Sequence, residues 1–485
     1  MFAVKKYFNS RSRKDCANVS TRGILAVLCL ATTVNALAVS SVNIVLPALI
    51  QDLDTTYGRA QWTIISFVTF LTATLAVAGR VSDRTGRTNI FVVGVVIFTL
   101  SALCCGISTH IWMLVFFRAL QGMGAAMFVA VAMAIASDIF PKSRAGTAIG
   151  LLSSASAVGT GTGPVLGGLL LEVFSWQSVF LVQASIGMLI FLLAKRVLPD
   201  DAGARGTAIV RPQLEMPIFI GVFSAVLFYT LSIKPLNSNY GVVNVIAAVL
   251  SGVALLSLLV LKQRLSRTFS PVNASQRDYS LWGNLAGNLL VGAAVMSSQV
   301  VAPFYLTMAL GLDFSRTGLV MSAGSFSVAI FAHVAGRLVD RFRSRLAILV
   351  GLGLMVSGAL GMIYLELEDG VPGYLLYATV TAAGYGTYLS SNNAFTMHDA
   401  GAEQRGNISG LLNLSRNLGL LTGVSIMGVV FAVASGLSRV EKVDPAPVMT
   451  GLNQVYVLAL LLLVLAVAIR ALVAVFGRDT HGSIQ

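Results

Sequence analysis

The stretch Gly79-Arg80-Val81-Ser82-Asp83-Arg84 returns in near copy as Gly336-Arg337-Leu338-Val339-Asp340-Arg341, 257 positions later. Two further echoes keep the same order and almost the same offset. Gly122-Met123-Gly124 returns as Gly384-Tyr385-Gly386 after 262 positions, and Arg144-Ala145-Gly146 as Arg405-Gly406 after 261. Self-similarity at one period marks a duplicated structural unit. The chain therefore reads as two related halves, and the next question is what each half is made of.

Around these echoes the sequence is nearly free of charge. Residues 23–50, 60–79, 88–117, 145–171 and 173–194 contain no Asp, Glu, Lys or Arg. A helix needs about 20 apolar residues to cross the hydrocarbon core of a bilayer. With no water there to satisfy backbone polar groups, such runs must be helical, and they are far longer than the strands of a membrane barrel. Over the whole chain 56% of residues are hydrophobic and only 11% charged, where soluble domains carry roughly 25% charge. Mean hydropathy is +0.82. We place fourteen spans, at 24–48, 60–80, 89–109, 111–136, 145–171, 177–197, 214–233, 241–261, 281–310, 316–337, 346–366, 372–396, 407–434 and 452–476. Asn284, Asn288, Gln299 and Pro303 interrupt the ninth. The predicted organisation is a basic leader (1–22), a six-helix bundle (23–197), and a linker carrying two extra spans (198–280). A second six-helix bundle (281–476) and a short tail (477–485) complete it.

Lysine and arginine set the orientation. Of 33, 26 fall on the side of the amino terminus and five on the other, with Arg118 and Arg416 inside spans. The chain is expected to be a multi-pass protein of the cell membrane with both termini cytoplasmic. Its net charge of +13 is then topogenic, and a nucleic-acid partner is not expected. Trp62, Trp112 and Trp176 fall at outer span ends, where aromatic anchors belong. The first span is too long, and its leader too extended, for a cleavable signal peptide. Cys16, Cys29, Cys104 and Cys105 have no disulfide or metal spacing. No phosphate-binding loop, zinc-protease or nucleophile-elbow signature occurs, so neither an enzyme nor an ATP-driven pump is expected, and no cofactor or metal.

Three motifs carry chemistry. Gly79-x-x-x-Asp83-Arg84-x-Gly86-Arg87 joins the second span to the third, its glycines allowing a tight turn and its Asp placed near a helix N-terminus. Arg118-x-x-Gln121-Gly122-x-Gly124 puts a cation inside the fourth span, where charge is costly and marks function unless the side chain snorkels to the outer interface. Gly159-x-x-x-Gly163-Pro164-x-x-Gly167-Gly168 lays a smooth stripe along the fifth span for close helix packing, with a proline to bend it.

These motifs resemble those of the major facilitator superfamily. The Asp83 loop matches that superfamily's signature, and the Arg118 and Gly-Pro-Gly-Gly motifs look like those of its drug:proton antiporters, in the fourteen-helix branch. The resemblance implies two six-helix bundles plus two inserted helices. It also implies export of small organic compounds by alternating access, driven by the proton gradient, and the carrier is expected to act as a monomer in the lipid bilayer. One feature departs from the branch. Its members typically carry an Asp in the first span, shortly before an ending that here reads Asn43-Ile44-Val45-Leu46-Pro47. The corresponding position is near Ala38, and no acidic residue lies deep in any span.

The candidates for cargo and coupling are therefore polar or positive: Asn35, Asn43, Arg118, Gln121, Asn288, Gln299, Arg416 and Asn417, with His333 as a group able to titrate near neutral pH. Two deep arginines without a carboxylate favour a neutral, zwitterionic or anionic cargo, such as a carboxylate metabolite or siderophore. Uptake of an organic anion or nutrient by the same fold is the alternative. Gly79, Asp83, Arg84, Gly86, Arg87, Gly336, Asp340 and Arg341 are the expected gating loops.

Overall fold

The computed structural model describes residues 2–139, 142–198, 277–339, 344–398, 405–436 and 445–476. Every regular element among them is helical. In chain order these are α1 (Phe2–Asp52), α2 (Tyr57–Thr85), α3 (Arg87–Gly106), α4 (Ile111–Ile139), α5 (Lys142–Val173) and α6 (Trp176–Val197). After the linker come α7 (Arg277–Phe304), α8 (Phe314–Val339), α9 (Ser344–Ile363), α10 (Gly370–His398), α11 (Arg405–Ser435) and α12 (Pro445–Phe476). Ten are long and apolar enough to cross a membrane. The other two, α5 and α10, have comparable length but are rich in Gly, Ser and Thr. The seventh and eighth predicted spans lie outside the described residues, so twelve of the fourteen expected helices are seen.

The duplication read from the sequence reappears as a duplicated packing pattern. In the first half α1 packs on α5 and α6, α2 on α4, and α3 on α4 and α6. The second half repeats it helix for helix: α7 on α11 and α12, α8 on α10, and α9 on α10 and α12. Lipid tails are as apolar as leucine, so these contacts rest on close approach rather than on water exclusion. Glycines at the crossings permit it. A Cβ on Gly124 would strike the backbone of Gly94 and Phe98 in α3, and one on Gly384 the backbone of Gly351 and Met355 in α9. Gly122 meets the Phe67 carbonyl of α2 in the same way, and Gly386 the Val328 carbonyl of α8. The echoed glycine pairs thus serve the same two neighbours in each half, in opposite order along the helix.

Local expectations are refined at three places. The Gly79–Thr85 segment is not a loop; it forms the last turns of α2. Gly86 alone makes the turn into α3, at φ 97°, with its N–H donating to the Ser82 carbonyl at 3.1 Å. Only glycine adopts that backbone without strain, whereas Gly79 is helical and a side chain there would meet nothing within 4 Å. The interrupted ninth span is continuous, but Pro303 has no N–H to give the Gln299 carbonyl, and the helix widens into a π-helical turn at Tyr305–Ala309. Trp112 is an exposed aromatic as expected, but Trp176 is fully buried, edge-on to Phe180. It is a core residue, because Phe180 and the base of α6 face inward there.

Candidate functional site

The two halves meet along symmetric pairs of helices, α5 with α8 and α2 with α11, and α1 touches α7. The joining contacts sit towards one end, here called the Pro47 face after the residue near the end of α1. Asn43 Nδ2 donates to Gln299 Oε1 at 3.0 Å, from α1 to α7. Gln61 Nε2 donates to the Val424 carbonyl, from α2 to α11. The Ser315 N–H donates to Glu172 Oε2 at 3.1 Å, between α8 and α5. Tyr57, Phe304 and Phe431 close the same end as a ring cluster from α2, α7 and α11, with centroids 5.2, 5.8 and 5.3 Å apart. Towards the opposite end, the Gly79 face, side chains built on Gly79, Gly150 and Gly410 would meet nothing within 4 Å. These three stand 18 residues, five turns, from the seam positions Gln61, Gly168 and Gly428, so among the described residues the halves are apposed at one face and open at the other.

The glycine stripe of α5 makes this possible by facing two ways. Gly159, Gly163 and Gly167 pack on Thr33, Ser40, Ser41 and Ile44 of α1 within the first half. Gly168 faces the Phe314 carbonyl across the seam, and Gly318 of α8 faces the Pro164 carbonyl in return. The second half holds an equivalent stripe that the motif search missed. Gly419 and Gly423 pack on Leu289 and Ala293 of α7, and Gly428 faces Gln61 across the seam. Each stands 260 positions after Gly159, Gly163 and Gly168, and that constant offset was the available signal.

Arg118 does not open onto the space between the halves. It is 0% exposed, and its guanidinium is fully engaged. Nε donates to the Thr63 carbonyl at 3.0 Å, Nη1 to Gln121 Oε1 at 2.8 Å and Nη2 to the Ala38 carbonyl at 3.3 Å. The Phe67 ring lies 4.1 Å from the guanidinium carbon, within range of a cation–π contact. The chain of amides continues from Gln121 to Gln183 at 2.9 Å and on to Ser41 at 3.2 Å. Arg118 thus ties α4 to α1, α2 and α6. The Ala38 position, where the resembling branch carries an acid, instead offers a backbone carbonyl to the same arginine.

Arg416 is different. It stands midway along α11, half-buried, and its Nε is buried without a hydrogen-bond partner. Asn417 beside it is buried, and Asn288 of α7 is fastened to α11 through the Leu412 carbonyl (2.9 Å) and Ser415 Oγ (3.1 Å). Asn35 of α1 is half-buried with its Oδ1 unpartnered. His333 is exposed. It lies seven residues, two turns, beyond Phe326, on the side of α8 that also exposes Leu319, Ile330 and Val334. Of the expected gating residues, Arg87 Nη1 donates to the Ala134 carbonyl of α4 at 3.2 Å, and Gly336 is helical in α8. The side chains of Asp83 and Arg84, and Asp340 and Arg341 entirely, lie outside the described residues.

Sequence and fold comparisons agree with this architecture. The chain is 24% identical over 438 residues to the riboflavin transporter RibZ of Clostridioides difficile, covering 90% of this chain and 94% of that one. It is 27% identical over 411 residues to the multidrug resistance protein Stp of Mycobacterium tuberculosis, covering 84% and 76%. Its fold matches a bacterial homolog of the human lysosomal transporter Spinster in an inward-facing, unoccupied conformation, at a TM-score of 0.66 and 16% identity, covering 94% and 97%. The family model of the Major Facilitator Superfamily matches residues 28–424. With most of its length matched, and two repeated six-helix halves meeting at one face, this multi-pass membrane protein belongs to the major facilitator superfamily of transporters.

Proposed function

We propose that the protein is a secondary active exporter of small organic compounds in the cell membrane, with both termini cytoplasmic. The two halves rock about a site near the midplane so that one face opens as the other closes. The observation that carries this reading is the one-sided seam: the halves touch at the Pro47 face and stand apart at the Gly79 face. In this orientation the described conformation opens to the cytoplasm, where an exporter loads. Closure of that face falls to the Asp83-Arg84-Arg87 and Asp340-Arg341 segments, and the carrier works as a monomer. The glycine-proline stripe of α5 and the similarity to Stp favour efflux. The similarity to RibZ favours the second reading, uptake of a metabolite by the same fold.

Proton coupling cannot run through a carboxylate beside Arg118, because Ala38 stands in its place. His333, an exposed side chain of α8, is the residue assigned to proton coupling. The test is retention of an anionic dye, 5-carboxyfluorescein, in cells with and without the gene. Export requires greater retention when the gene is deleted, a loss of efflux when the pH gradient is collapsed, and the same loss with His333→Gln. Lower retention in the deleted strain would favour uptake, and efflux indifferent to the gradient would remove the proton.

A further inference from the structure

Resting on the transport reading above, we propose that Arg416 holds the anionic group of the cargo, a carboxylate or comparable oxyanion. The argument begins from the contrast between the two deep arginines. Every nitrogen of the Arg118 guanidinium donates to a named acceptor, and none of it is exposed. Arg416 is half-buried, and its Nε is buried without a partner among the described residues. A cation held within a membrane protein without a counter-charge is costly, and such groups are kept where a ligand or ion meets them.

The surroundings of Arg416 are also unfinished. Asn288 joins α7 to Leu412 and Ser415 of α11, and a Cβ on Gly287 would lie 2.9 Å from the Tyr388 hydroxyl of α10. These contacts set Asn288 of α7 beside Leu412 and Ser415 of α11 and Gly287 beside Tyr388 of α10, while the Arg416 carbonyl lies against Gly292 one turn further along α7. Within two turns of these contacts, Asn284 Oδ1, Ser391 Oγ and both amide atoms of Asn392 are buried without partners, and Asn392 is 0% exposed. Tyr385 lies within electrostatic range of Arg416. A guanidinium with amide and hydroxyl groups around it is suited to a carboxylate, which accepts two parallel N–H bonds from the arginine fork. No acidic residue occupies the interior of α7, α10 or α11 to compete for it. Arg470, the other cation among the described residues with a buried unpartnered nitrogen, sits near the end of α12, stacks on Phe395 at 4.9 Å and lies within electrostatic range of Tyr388.

The test uses the full-length protein purified into proteoliposomes, with 5-carboxyfluorescein and taurocholate as organic anions and ethidium as an organic cation. The wild type is expected to move the anions. Arg416→Gln should lower that flux at least tenfold while eluting as a folded monodisperse protein, and Arg416→Lys, which keeps the charge but not the fork, should recover part of it. The same anions should raise the melting temperature of purified wild type but not of Arg416→Gln. Anion flux unchanged in Arg416→Gln, or ethidium carried by the wild type while neither anion moves, would overturn the assignment. If the wild type moves none of the three, the transport reading beneath it falls instead.

Discussion

At the scale of the residue, one side-chain type performs two tasks according to its neighbours. Arg118 is a cross-brace whose three acceptors belong to α1, α2 and its own helix, whereas Arg416 has a buried nitrogen still to be satisfied. Removing one partner of a buried, hydrogen-bonded charged group typically costs a few kcal/mol, because the remaining groups are stranded. Arg118→Leu is therefore expected to destabilise the protein by about 2–4 kcal/mol, and Arg416→Leu to leave stability unchanged or raised. Thermal melting in detergent reads both, and equal losses would show that Arg416 is also structural. The cation inside the fourth span was legible in the sequence. Its burial was not, because the carbonyls of Ala38 and Thr63 and the ring of Phe67 come from helices that only the fold brings around it.

At the scale of the element, the glycine stripes of α5 and α11 decide how closely the halves can approach. They differ in what they face. A side chain on Gly168 would run into the Phe314 carbonyl, which is backbone and cannot yield, whereas one on Gly428 would meet the end of the Gln61 side chain, which can swing aside. Gly168→Leu should accordingly reduce transport at least tenfold by holding the Pro47 face open, and Gly428→Ala should cost less than half of it. A Gly168→Leu carrier with normal flux would mean the seam does not close there. The α5 stripe was plain in the sequence because a proline and paired glycines stood in register. The α11 stripe was overlooked although it repeats at a constant offset, since its glycines lie among ordinary apolar residues with no proline to mark them. Gly86 was recognised as a turn residue, but helix continuity through Asp83 was not, because charges suggested a loop where α2 simply continues.

At the scale of the whole molecule, the paired halves were legible from three echoes, whereas the direction in which they are tilted was not. That depends on contacts such as Asn43 with Gln299, which neither residue announces alone. If rocking is the transport step, cysteines at positions 43 and 299, in a chain whose four native cysteines are replaced, should lock the Pro47 face when joined through disulfides by a short bis-methanethiosulfonate linker. Flux should stop on cross-linking and return on reduction. Continued flux through the linked protein would end the rocking mechanism. The ring cluster of Tyr57, Phe304 and Phe431 has a separate consequence. An apolar constriction excludes a continuous thread of water, so a carrier resting in this conformation would pass no ionic current. The membrane potential of the cell is thereby insulated from the protein at its Pro47 face.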